Sequence, residues 1–196
     1  MKKYLYLTLF LVLAIILIMT GRTPKEEKAI AKAAANKETI VELLRSTGRP
    51  GMEAVISYLD TTAFYTMGAS NHHNYTGGLA QHSLEVYRIM KLLTWFQSSD
   101  SVIITALFHD MGKITWGWHP YRVTVILNNL DFRLTEQEYI TISRHHRQHI
   151  VYYRDPMRRA LTLADAISAG WWIIRHPFHK TDGAAQAVNG SEQEES

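Results

Sequence analysis

A histidine directly followed by an aspartate, His109-Asp110, is the pair whose side chains best suit metal chemistry. Neighbouring positions in a helix point about 100° apart, so both side chains reach one ion only at a helix end or an irregular turn. The apolar run 101–108 before the pair and Gly112 after it provide such a place. We therefore expect the pair to lie where a buried helix ends.

Two further polar residues stand in apolar surroundings, where an imidazole or carboxylate without a partner costs free energy. His82 lies on an apolar helical face, and Asp165 lies within the segment LTLADAIS. Taken alone, each is more often a hydrogen-bonded core residue than a ligand. Together with the His-Asp pair they form a mixed imidazole and carboxylate set that suits a divalent transition metal. One ion would satisfy all four buried groups.

The elements that must position these residues are predicted to be helices. His82 and three apolar residues have the i, i+4, i+7, i+11 spacing that places side chains on one face of a helix. The apolar residues are Val86, Ile89 and Leu93. Thr135 and Glu138 form a T-x-x-E capping box, which predicts a helix over 136–149. The run 101–108 has the composition of a buried strand or a buried helix, and its helical neighbours favour a helix.

A further helix is predicted between Asp155 and Gly170. Asp155 suits its N-cap, Pro156 suits its first position, and Gly170 is placed to end it. No segment keeps the alternation of a strand for long. We therefore predict an all-α fold.

The chain begins with an uncharged apolar run, 4–20, that follows Lys2 and Lys3. A membrane-spanning helix needs roughly 17–25 apolar residues, so the run predicts a single-pass transmembrane helix. A cleaved signal peptide is the alternative, but no small-x-small cleavage site follows directly. More basic residues follow the run than precede it, which favours a cytoplasmic location for the rest of the chain.

We divide the chain into a transmembrane anchor at 1–21, a charged stalk at 22–36, a folded domain at 37–180 and a disordered tail at 181–196. The 196 residues, 46% of them hydrophobic, are enough to bury one core. The chain has no cysteine, which excludes disulfides and thiolate metal ligands. The formal charge of +3 allows contact with nucleic acid or anionic lipid without requiring either.

Four motifs occur in an order that resembles the HD superfamily of metal-dependent phosphohydrolases, whose pattern is H…HD…D. They are HHNYTGGLAQHSLEV (72–86), LFHDMGK (107–113), RHHRQH (144–149) and LTLADAIS (161–168). The GGL-x-x-H and HD-x-GK forms are most similar to the HD domains of 3′–5′ exoribonucleases and of conjugation-related proteins. The resemblance covers about residues 50–175 and implies a compact helical bundle.

The resemblance also implies a reaction. It makes His82, His109, Asp110 and Asp165 the ligands of a metal that activates water for attack on phosphorus. Asp110 would bridge two ions or orient the water, and Lys113 would reach the substrate phosphate. The nitrogen and oxygen ligands suit one or two ions of Mn, Fe, Ni, Co or Zn, and suit Mg less well. We thus predict hydrolysis of a phosphomonoester or phosphodiester, with a nucleotide as the substrate.

Other polar residues have secondary roles in this hypothesis. His145, His146 and His73 are placed to complete a second metal site or to contact the substrate. Arg144 and Arg147 suit bidentate contact with phosphate. His119 has no motif around it and is interpreted as structural.

Two other functions remain open from the sequence. One is a membrane-bound sensor that binds a metal or nucleotide without catalysis, and the other is an accessory protein of conjugation that holds nucleic acid. The complete H…HD…D set and the lysine favour the enzyme.

Overall fold

The computed structural model describes residues 24–95, 97–115, 119–146 and 155–175. Seven α-helices lie in these ranges: α1 Pro24–Ser46, α2 Met52–Asp60, α3 Gly78–Leu93, α4 Ser99–Phe108, α5 His119–Asn129, α6 Glu136–Arg144 and α7 Pro156–Arg175. Short 3₁₀ turns occur at Ala63–Tyr65 and Met111–Ile114. Because the described ranges hold helices and no strands, the prediction of an all-α fold is confirmed, including a helix rather than a strand before His109.

Helix α3 lies at the centre of the bundle, packed against α4, α7 and α1. Its residues Leu79 and Leu84 belong to a large apolar core with Leu107 of α4. Its residues Val86 and Met90 belong to a second cluster, which α7 completes. Because α3 contributes to both clusters, its polar residues are held at fixed positions between α4 and α7.

The start of α6 is fixed by the capping box that the sequence predicts. The Thr135 hydroxyl accepts from the Glu138 amide, and the Glu138 carboxylate accepts from the Thr135 amide. The helix ends at Arg144, before the predicted end at 149. Residues 147–154 lie outside the described part of the chain.

The start of α7 also follows the sequence, but its end does not. The Asp155 carboxylate accepts from the Met157 amide, as an N-cap does. The prediction that Gly170 ends the helix is wrong, because α7 continues to Arg175. A single glycine inside a helix is tolerated at a cost of about 1 kcal/mol. The turn beyond it is held by Trp172, which is buried and stacks on His73.

Helix α1 runs without a break across the predicted boundary between stalk and domain at residue 36. Asn36 donates to Gln81 of α3 over 2.9 Å, which ties α1 to the bundle. In the part of the chain that the structure describes, no helix combines the length and apolar character that crossing a membrane requires. The predicted anchor at 1–21 and the predicted tail at 181–196 lie outside that part.

Candidate metal centre

His109 and Asp110 lie where α4 ends and the second 3₁₀ turn begins, and both are buried. This departure from helical geometry lets the two side chains converge, with His109 Nε2 3.5 Å from Asp110 Oδ2. His82 Nε2 of α3 lies 3.5 Å from the same oxygen and 3.1 Å from Asp165 Oδ1 of α7. The four residues expected to form the primary ligand set are therefore neighbours in space.

Three buried imidazoles around Asp110, those of His82, His109 and His145, have a shared hydrogen-bonding pattern. Each Nδ1 has a partner: His109 with the Ala106 carbonyl (2.8 Å), His145 with the Ile142 carbonyl (2.7 Å) and His82 with the Ser168 hydroxyl (3.1 Å). Each Nε2 is buried within 4 Å of a carboxylate oxygen, but none makes a hydrogen bond of acceptable geometry within the described residues.

A carbonyl oxygen only accepts, so Nδ1 of His109 and of His145 must carry the proton that is donated to it. In the neutral ring, Nε2 then has a free lone pair. This arrangement is typical of metal-ligating histidines, in which a hydrogen bond at one ring nitrogen orients the other toward the ion. The buried Nε2 atoms and the nearby carboxylates therefore fit a divalent cation.

A second group of ligand atoms surrounds the other oxygen of Asp110. His119 Nε2 lies 3.0 Å and His145 Nε2 lies 3.9 Å from Asp110 Oδ1. His146 Nε2 lies 2.8 Å from His119 Nε2. One ligand atom from each of these four residues lies within 4.8 Å of all the others. Asp110 thus stands between two groups of histidines, with one group near each of its carboxylate oxygens.

Not all predicted residues approach Asp110. The His73 ring is buried and its Nε2 lies 2.9 Å from Glu85, while its Nδ1 faces His72 Nδ1 at 3.1 Å. Arg144 is exposed at the end of α6. Arg147 lies outside the described residues.

The sequence interpretation missed His119, which it treated as structural. The structure places His119 at the first position of α5, with its ring against Asp110. Gly112 permits this approach, because a Cβ at that position would overlap the backbone carbonyl of His119. Pro120, which favours the first turn of a helix, is a sequence signal that a helix starts near His119, but it does not place that start beside Asp110.

The charges of the centre favour a cation. Burial alone would raise the pKa of Asp110, but the His109 imidazole holds that pKa well below its usual value. Burial would lower the pKa of His109, but the carboxylates of Asp110 and Asp165 raise it. Burial, assisted by His109, lowers the pKa of His145 to about 3, so this ring is neutral at physiological pH. The two carboxylates thus attract positive charge, and the neutral ring offers a lone pair.

A cleft of about 690 Å³ opens beside the second group. Its polar walls come from the loop before α3, from the 3₁₀ turn after His109-Asp110 (the His-Asp turn, Met111–Ile114), from the start of α5 and from the residues after α6. The polar side chains include Ser70, Asn71, His72, Asn74, Lys113, His119 and His146. Lys113 Nζ lies 2.6 Å from Asp110 Oδ2 and 3.1 Å from the Ala69 carbonyl. The predicted lysine therefore stands between the candidate centre and a cavity of the size that small ligands occupy.

The family comparison agrees with this geometry. Residues 79–170 match the family model of the HD domain. The match runs from the first turn of α3 into α7 and so includes every primary ligand position. No curated protein and no solved structure matches the chain significantly.

Proposed function

We propose that this protein, in which residues 79–170 form an HD domain, hydrolyses a phosphomonoester or phosphodiester of a nucleotide with the help of a divalent metal. HD domains are generally metal-dependent hydrolases. The observation that carries the proposal is the set of buried Nε2 atoms of His82, His109 and His145, which surround the Asp110 carboxylate and make no hydrogen bond to another residue in the described part of the chain.

The residues divide into two ligand groups that share Asp110. His82, His109, Asp110 and Asp165 hold the first ion, and Asp110, His119, His145 and His146 hold a second. The nitrogen and oxygen atoms suit Mn, Fe, Ni, Co or Zn better than Mg. When bound, such an ion polarises a phosphoryl oxygen and lowers the pKa of a water molecule.

Lys113 contacts the substrate phosphate in this proposal. Its ammonium group faces both Asp110 and the cleft, so it can neutralise charge on a phosphoryl group placed beside the ions. The remainder of the substrate occupies the cleft. Serine, asparagine and histidine side chains there offer both donors and acceptors, as a nucleoside requires.

The test compares the full-length protein with Asp110→Asn, which keeps the shape of the side chain and removes its charge. We expect near-stoichiometric metal in the wild type by elemental analysis, and phosphate release from nucleotides with added Mn²⁺. The variant should lose the metal and lower the rate roughly 10³-fold, the loss typical of a main electrostatic group in an active site.

Asp131→Asn is the matched control, since Asp131 is exposed and its positive φ of 54° suits asparagine. Metal content and rate should not change in it. A wild type without metal, or an Asp110→Asn protein with full activity, would refute the proposal. Stoichiometric metal without turnover on any substrate would favour the non-catalytic sensor.

We also propose that residues 1–21 anchor the protein in a membrane by a single helix, with the HD domain in the cytoplasm. The uncharged apolar run 4–20 and the excess of basic residues after it support this location. Extraction of membranes with carbonate should leave the full chain in the pellet, and removal of residues 1–21 should release it. Protease added outside intact cells should leave the domain uncut.

A further inference from the structure

Glu85 lies one turn after His82 on α3, and its carboxylate accepts three side-chain hydrogen bonds. Its Oε2 accepts from His73 Nε2 over 2.9 Å and from the Ser168 hydroxyl over 3.0 Å. Its Oε1 accepts from Gln81 Nε2 over 2.7 Å. Ser168, which is buried on α7, is at the same time the partner of His82 Nδ1. A continuous path thus leads from Glu85 through Ser168 to a proposed metal ligand.

The direction of each hydrogen bond in this path is determined. Burial would raise the pKa of Glu85, but the hydrogen bond from His73 lowers it to about 2, so the group is a carboxylate that only accepts. The Ser168 hydroxyl has one hydrogen, and it goes to this carboxylate. Only lone pairs then remain for His82, so His82 Nδ1 must donate. A neutral ring with its proton on Nδ1 has a free lone pair on Nε2.

Comparison with His109 and His145 shows why a carboxylate is needed to fix the tautomer of His82. Nδ1 of His109 and of His145 faces a backbone carbonyl, which fixes the tautomer in one step. A serine hydroxyl alone does not, because it can donate as well as accept. Glu85 removes this ambiguity by taking the only hydrogen of Ser168.

We propose that Glu85 and Ser168 are positioning residues that hold His82 in the Nδ1–H tautomer and so present its Nε2 to the metal centre. The consequence for metal binding rests on the proposed function, whereas the tautomer itself does not. Gln81 assists by orienting the carboxylate, and its own carbonyl accepts from Asn36 of α1. The metal centre is thereby linked to the helix that follows the N-terminal segment.

The test is a two-bond ¹H–¹⁵N correlation spectrum of the full-length, metal-free protein labelled at histidine, with the His82 signal assigned by its loss in His82→Gln. We expect His82 of the wild type to be the Nδ1–H tautomer. In Glu85→Gln the side-chain amide can donate to Ser168, so the serine hydrogen turns to His82 and the Nε2–H form should increase. Ser168→Ala should give a mixture of forms, and Ser168→Thr, which keeps the hydroxyl, should restore the wild-type spectrum.

Metal affinity gives a second readout, measured by competition with a chelating dye. Loss of a hydrogen-bond partner that orients a metal ligand typically weakens binding 10–100-fold, so we expect that loss in Glu85→Gln and Ser168→Ala and recovery in Ser168→Thr. Ser83→Ala is the matched control, because the Ser83 hydroxyl is buried next to His82 and makes no hydrogen bond within the described residues. It should change neither the tautomer nor the affinity.

An Nε2–H tautomer in the wild type would overturn the proposal, as would an unchanged spectrum in Ser168→Ala and Glu85→Gln. If the spectra change as expected but the wild type binds no metal, the positioning role stands and the proposed function fails. Circular dichroism of each variant separates these results from loss of folding.

Discussion

The two oxygens of Asp110 have different neighbours, and this difference assigns a role to Lys113. Oδ2 faces His82, His109 and the Lys113 ammonium group, whereas Oδ1 faces His119 and His145. Lys113 is thus held at the rim of the centre by a carboxylate and by a carbonyl of the cleft wall. In the proposed function, Lys113 contacts the substrate phosphate from this position rather than the ion.

We therefore predict that Lys113→Met lowers kcat/KM roughly 10²-fold, because the phosphate loses a cationic donor, while the metal content stays the same. Steady-state kinetics and elemental analysis of the same preparation measure the two quantities. Lys91→Met is the control, since Lys91 is exposed on α3. Loss of metal together with rate would mean that Lys113 supports the ligands instead.

The four residues proposed as primary ligands could be selected from sequence, because each lies in a motif with its own local signal, and the structure places them close together. His109-Asp110 follows an apolar helix, and Asp165 is an acidic residue among apolar ones. His119 could not be predicted in this way. Its position beside Asp110 depends on how α5 packs on the His-Asp turn, which is a tertiary contact that no spacing in the chain encodes.

At the scale of elements, Gly112 sets how closely α5 approaches the His-Asp turn. A Cβ there would overlap the His119 carbonyl, so Gly112→Ala must push the start of α5 away from Asp110. We predict a loss of about 1–3 kcal/mol in the free energy of unfolding, as for other overpacked sites, together with weaker metal binding. Urea denaturation and metal titration measure these effects.

Gly170→Ala is the matched control for this substitution. Gly170 lies inside α7, and a Cβ there meets no atom of the described residues within 4 Å apart from the backbone of its own helix. Alanine should raise the free energy of unfolding by about 0.5–1 kcal/mol and leave metal binding unchanged. If both alanine variants behave alike, the proximity of α5 to the turn does not depend on Gly112.

Helices α6 and α7 show which helix boundaries a sequence can predict. The start of α6 depends on Thr135 and Glu138, which lie within one turn of each other, so the pattern was sufficient. The end of α7 depends on Trp172, whose stacking partner His73 is distant in the chain. The expectation that Gly170 ends the helix reflects only the local preference of glycine. In α7 the contact between Trp172 and His73 outweighs that preference.

At the scale of the whole molecule, an ion pair between a buried carboxylate and a partly exposed arginine joins three parts of the bundle. The Glu138 carboxylate of α6 is fully buried and accepts from Arg49, which follows α1, over 2.9 Å and from Ser101 of α4 over 2.7 Å. Burial would raise the pKa of Glu138, but the Arg49 guanidinium lowers it below its usual value. The pair therefore stabilises the fold above the unfolded-state pKa, and this stabilisation is lost as the pH falls through the lowered folded-state pKa.

We predict that Glu138→Gln lowers the free energy of unfolding at pH 7 by roughly 3 kcal/mol, since it leaves the Arg49 charge without its partner. The difference from the wild type should begin to shrink as the pH falls below about 4.3, the pKa of an unperturbed glutamate, and should disappear below the lowered folded-state pKa. Urea denaturation across this pH range measures it. Glu53→Gln, which removes an exposed pair with Arg45, should have little effect, and an equal effect of both would contradict the argument.

Metal binding should stabilise the whole bundle. The proposed primary ligands come from α3, from the end of α4 and from the middle of α7, and α3 contributes to both apolar clusters. A ligand that binds only the folded state adds about 2.7 kcal/mol at 100 times its Kd. For a chain of this size we predict that Mn²⁺ or Zn²⁺ raises the Tm by roughly 5–10 °C and that a chelator reverses the rise. Asp110→Asn should abolish the shift and Ser83→Ala should keep it, as measured by calorimetry. A wild-type Tm that does not respond to any of the five transition metals would mean that the buried histidines serve the fold alone.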